Sequence, residues 1–150
     1  MKYPYLQHVR LLIVIFLSIL FMSCKKDNTS SRPGAPSFTW TIDGVNYVAD
    51  EATAFTNDIE ARKTVGADVK HVEIALHSVN DFPIGTYTIG VAADIIGCWE
   101  ESDPSGTGHF STTGTLHITS STADEVNGDF TVTLNNGSAM SGNFSHIPLE

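Results

Sequence analysis

The sequence predicts an all-β domain over residues 37–150: a single antiparallel β-sandwich, or flattened barrel, of about eight or nine strands. Three observations carry this. Apolar and polar residues alternate with period two through most of the region, the pattern of strands buried on one face. Turn residues punctuate the alternation, most plainly at Asp43-Gly44 and Asn135-Asn136-Gly137. No ten-residue stretch keeps a helical apolar stripe.

Phe38, Trp40 and Ile42 share one face of the first strand, which makes Trp40 a core residue. Asp43-Gly44 turns the chain, and Val45 and Tyr47 resume the pattern. Residues 52–55 read as a further strand, with a helical turn as the alternative. Val72, Ile74 and Leu76 then face one way, and His71, Glu73, Ala75 and His77 the other. Pro83 and Gly85 break the chain before Tyr87, Ile89 and Val91 line another strand. Residues 97–108, holding Trp99, Pro104 and several acidic residues, read as a long irregular connection. Leu116 and Ile118 alternate with Thr115, His117 and Thr119. A turn at residues 121–124 leads to Phe130, Val132 and Leu134, with Gly128 expected as a bulge. After the Asn-Asn-Gly turn, Met140 and Phe144 complete the pattern.

The N-terminus has a different character. Lys2 and Arg10 precede an apolar run from Leu11 to Met22, interrupted only by Ser18 and followed by Ser23-Cys24 and Lys25-Lys26-Asp27. A membrane-crossing helix needs roughly 20 apolar residues, so this run is short for a span and has the layout of a cleaved signal. Phe21 fits poorly three residues before an ordinary secretory cut. Ser23-Cys24 instead fits the end of a bacterial lipoprotein signal, although Phe21 and Met22 depart from its strict form. Residues 1–23 are read as that signal, Cys24 as the lipidated residue and residues 24–36 as a flexible Ser/Pro/Gly-rich tether. Ordinary secretion and an uncleaved anchor are the alternatives. Each buried CH₂ of the acyl chains contributes about 0.8 kcal/mol, so two or three chains hold a protein on a bilayer durably. Lys25 directly after Cys24 favours the outer membrane, on its periplasmic or cell-surface face.

Once the signal is removed, six basic residues remain against 17 acidic ones, a formal charge of −11. That balance excludes nucleic acid and anionic lipid as electrostatic partners. Cys98 is then the one remaining thiol, so no intrachain disulfide is available. Its neighbours Glu100, Glu101 and Asp103 would raise its pKa, which favours a small buried residue over a reactive nucleophile.

The order of several short motifs resembles that of small Bacteroidetes lipoproteins with domains of unknown function. These are Trp40-Thr41-Ile42-Asp43-Gly44 with Tyr47 and Ala49-Asp50; Gly85-Thr86-Tyr87-Thr88-Ile89-Gly90; residues 114–119; Val126-Asn127-Gly128-Asp129-Phe130; and Ser141-Gly142-Asn143-Phe144. The resemblance spans most of residues 38–145. It implies an antiparallel β-sandwich in the cell envelope and brings no activity with it.

Candidate sites are sparse. His71 and Glu73 share a strand face, but at about 3.3 Å per residue His77 lies roughly 20 Å from His71. A third metal ligand would have to come from His109 or His117 on another strand, and no multi-ligand motif is present, so no metal is assigned. Asp94, Glu100, Glu101 and Asp103 lack the spacing of a calcium loop. Glu100 and Glu101, adjacent on a strand, would point opposite ways and cannot act as a catalytic pair. No nucleophile elbow or phosphate-binding loop occurs, and no cofactor is implied. The expectation is a non-enzymatic lipoprotein with a binding or envelope-structural role. A glycan-binding accessory lipoprotein using the 94–110 loop, with Trp99 as the stacking residue, is the alternative; a small hydrolase ranks below both. Its partners are expected to be the membrane, through Cys24, and a glycan or a protein.

Overall fold

A computed structural model of the chain describes residues 34–90, 94–101 and 108–150. The expected signal, Cys24 and the tether through residue 33 lie outside the described residues, as do Val91, Asp103 and Pro104. The segment Pro33–Glu150 forms one unit. Among the described residues there is no helix, and ten strands are present. They are β1 (Ser37–Ile42), β2 (Val45–Val48), β3 (Glu51–Ala54), β4 (Asp58–Val65), β5 (Asp68–Leu76), β6 (Gly85–Ile89), β7 (Asp94–Glu100), β8 (His109–Ser121), β9 (Glu125–Leu134) and β10 (Ala139–Pro148).

The strands join antiparallel in the order β2-β1-β10-β9-β8-β7-β5-β4-β3, with β6 also paired to β8. The sheet curls into an open half-barrel because β8 serves two neighbours along one edge. Its first residues, His109 and Phe110, pair with Cys98 and Gly97 of β7. Further along, residues 114–118 pair with β6. A register shift against β9 between Ser111 and Thr113 lies at this changeover, and a bulge there increases bend and twist. At the far edge, an isolated parallel bridge joins Ala54 to Leu149.

The turns follow their sequence signals. Asp43 and Gly44 both have positive φ (48° and 84°), the primed-turn geometry that Asp-Gly favours in two-residue hairpins. Asp43 also binds the β9–β10 turn, accepting hydrogen bonds from Ser138 Oγ at 2.7 Å and Ala139 N at 3.3 Å. The turn expected at residues 121–124 is held by Thr122, whose Oγ1 accepts from Asp124 N and Glu125 N.

The core is apolar and aromatic. Phe38 stacks on Phe144 at 5.7 Å and meets Trp40 edge-on at 6.0 Å, and Trp40 in turn stacks on Tyr47 at 5.3 Å. Against them pack Ile59, Val72, Ile74 and Ile96 from the other end of the sheet. Phe82 is fully buried although it lies in the β5–β6 connection, with φ of 46°. Phe and Trp side chains of this size each bury 150–250 Å² and dominate core energetics.

Three expectations need correction. β4 was not foreseen, because Ile59 and Ala61 are its only buried apolar residues. Residues 94–100 are a strand and not part of an irregular connection. Gly128 is not itself a bulge. The extra residues lie in its neighbours, where β8 shifts register between Ile118 and Ser120 and β10 between Phe144 and Ile147. Gly128 is required there by close approach, since a Cβ would lie 2.2 Å from His117 O and 2.6 Å from Phe144 Cζ. Gly128→Ala is therefore expected to destabilise the domain by about 1–3 kcal/mol, the usual cost of overpacking. A lowered urea midpoint with unchanged slope would show it.

Candidate functional site

Register between neighbouring strands builds a groove on the outer face of β4, β5, β7 and β8. His71 lies opposite Trp99, and Glu73 lies between Gly97 of β7 and Glu60 of β4. Phe110 of β8 pairs with Gly97. Because side chains alternate across a strand, these residues share the face away from Val72, Ile74 and Cys98.

Trp99 stacks on the His71 imidazole, with ring centroids 4.8 Å apart and planes within 5° of parallel. His71 is buried, and its Nε2 lies 2.8 Å from Glu101 Oε1. One indole face is thus backed by a ring that is itself held in place. Trp99 also lines a groove of about 340 Å³ with Glu73, Gly108 and Phe110. Gly97 lets Phe110 pack close at the edge of this groove. The Phe110 ring lies over that glycine, where a Cβ would come within 3.0 Å of it. Phe110 is one of the few large apolar side chains exposed to solvent.

Glu73 gives the groove its carboxylate. Glu73 and Glu60 are directly opposed, and like charges in that position repel. Partial burial, and then the carboxylates of Asp58 and Glu60, hold the Glu73 carboxyl above its ordinary pKa, while His77 opposes the shift. Glu60 has a cation beside it, Arg62 at 3.4 Å. Among the described residues no lysine or arginine forms an ion pair with Glu73.

A second cavity, of about 310 Å³, opens between the β1–β2 hairpin and the ends of β5 and β7, lined by Trp40, Tyr47, Lys70, Cys98, Glu100 and His109 among others. Lys70 pairs with Glu100 and sits 5.7 Å from the centre of the Tyr47 ring. The hydrogen bond to Glu100 raises the Lys70 pKa. Burial pushes the Cys98 thiol up to about 11, helped by Glu100 and opposed by Lys70. A thiol so shifted is a poor nucleophile.

Of the residues singled out from sequence, His71, Cys98, Trp99, Glu100 and His109 all line the second cavity, and Glu73 and Trp99 line the outer groove. Trp99 belongs to strand β7 and not to a loop. Glu100 and Glu101 do point opposite ways, toward Lys70 and His71. Asp94 turns inward and accepts hydrogen bonds from Ser78 N and Oγ. The acidic residues weighed as a calcium loop are therefore dispersed, and Asp103 lies outside the described residues. His77 pairs with Asn57, His109 with Asn135 and His117 with Asp129. Among the described residues no three His, Cys, Asp or Glu side chains converge on a metal position. Sequence reasoning missed Phe110 and the Glu60–Glu73 opposition. The alternation Asp58-Ile59-Glu60-Ala61-Arg62 was the available signal for the latter.

Neither a protein-family model, nor a curated protein, nor a solved structure matches the chain.

The raised thiol pKa has a consequence for stability. Between pH about 9 and about 11 the folded form retains the Cys98 proton that the unfolded chain releases. Proton uptake on folding makes stability fall as pH rises through that window, and below it the contribution is fully present. Replacing Cys98 by Ala is expected to flatten this alkaline decline, measured by denaturant titration across the window.

Proposed function

We propose that this chain is a non-enzymatic lipoprotein of the outer membrane, anchored through Cys24, whose β-domain binds a glycan on the outer face of β5, β7 and β8. The anchor rests on the basic, apolar and Ser-Cys order of the first 24 residues. The binding role rests on one observation above the others: Trp99 is fixed by His71 and also lines an open groove with Phe110 and a carboxylate. Pyranose rings present apolar C–H faces and equatorial hydroxyls. An aromatic wall takes the former, and carboxylates accept hydrogen bonds from the latter. A pre-held aromatic side chain also loses less conformational freedom on binding.

Support for a non-enzymatic role comes from the same geometry. Cys98 is held protonated by burial, and Glu100 and Glu101 sit on opposite faces. An envelope-structural role without a ligand is the competing reading. It has no particular use for a solvent-open aromatic groove.

Two measurements test this proposal. Cys24→Ser is expected to release the protein from the membrane fraction, and intact-mass spectrometry of the wild type is expected to show acylation at Cys24. An unacylated protein with residues 1–23 retained would refute the anchor. On a glycan array, Trp99→Ala is expected to weaken binding at least tenfold, about 1.4 kcal/mol, with an unchanged circular-dichroism spectrum. No wild-type binding to any glycan would refute the binding role.

A further inference from the structure

We infer that the groove selects amino sugars: hexosamine chains whose nitrogen is free and protonated, as opposed to N-acetylated or neutral ones. This rests on the glycan reading above and adds the ligand's charge to it.

One placement on this face costs the fold stability. Glu60 and Glu73 face each other across β4 and β5, with Asp58 on the same face of β4. Opposed like charges on a sheet are destabilising, and a salt-bridging residue at either position would remove the cost. Glu60 has a cation beside it in Arg62, and Glu101 is within hydrogen-bond distance of His71. Glu73 is the carboxylate that reaches into the groove, and it has no ion-pair partner among the described residues.

The walls around it are aromatic. A ring face attracts a cation within about 6 Å of its centroid, more strongly for Trp than for Phe. Trp99 and Phe110 border the groove into which Glu73 reaches, and Phe110 covers Gly97, the residue directly beside Glu73 in the sheet. An ammonium group placed there would meet Glu73, lie within the field of Glu60, and be bordered by two rings. The sugar ring that carries it can stack on Trp99. An acetamide in the same place would bring no charge and leave the Glu73 carboxylate without a counter-charge. The net formal charge of −9 adds attraction for a cationic chain at longer range.

Isothermal titration calorimetry with glucosamine oligomers and their N-acetylated counterparts tests the assignment. The full-length protein is expected to bind the amine form at least tenfold more tightly, and the difference is expected to shrink as salt is raised. Glu73→Gln is expected to abolish that preference and leave affinity for the acetylated oligomer unchanged. It also removes the carboxylate repulsion, so it is expected to fold at least as stably as the wild type. Glu60→Gln provides a second variant with a smaller loss of preference. Trp99→Ala is expected to weaken both ligands. Equal affinity for the two oligomers, unaffected by Glu73→Gln, would overturn the amino-sugar assignment and leave glycan binding standing. Binding of neither oligomer, or of oligolysine in preference with no dependence on Trp99, would overturn both.

Discussion

Strand β8 is the constraint on which the rest of the molecule depends. It pairs with β9 along most of its length and divides its other edge between β7 and β6. Backbone N–H and C=O groups removed from water must find partners. A strand that passes from one neighbour to another satisfies them while the sheet turns. The register shift between Ser111 and Thr113 provides the local bend. The curl follows from this, and it brings the Phe38, Trp40 and Phe144 cluster over Ile59, Val72 and Ile96. The same junction sets Phe110 beside Gly97, so the outer groove and the inner core are two results of one strand crossing.

The two faces of β5 and β7 carry opposite chemistry because side chains alternate. On the inner face, Cys98 and Val72 are buried, and Lys70 and Glu100 form an ion pair at the rim of a cavity. On the outer face, His71 connects Glu101 to Trp99, one contact by a hydrogen bond and the other by stacking. The inner pair compensates its own charges. The outer face leaves Glu73 without such a partner, beside two aromatic rings. This asymmetry makes the outer groove the better candidate for a ligand, although the two cavities are similar in volume.

How much was legible depended on how local each feature was. Phe38, Trp40 and Ile42 reveal a half-buried strand within six residues, and Asp43-Gly44 specifies its turn through backbone sterics alone. Trp40 was legible as core for the same reason. β4 was harder, because Ala61 is small and Lys63 to Val65 extend beyond the core. β7 was misread because Gly97 and the two terminal glutamates resemble a loop. The neighbours that make them strand residues lie in β5 and β8: Phe110 covers the glycine, and Lys70 and His71 pair with the acids.

The sequence by itself determined the all-β class, the turns, the acidic balance and the segregation of apolar residues to one face. Each of these follows from composition, from periodicity or from the dihedral preferences of neighbouring residues. Only the tertiary structure decided which strands lie side by side. Trp99 and His71 are 28 positions apart, and Glu60 and Glu73 are 13 apart. Whether such residues meet is set by interstrand register, which the whole sheet settles at once by burying its apolar face.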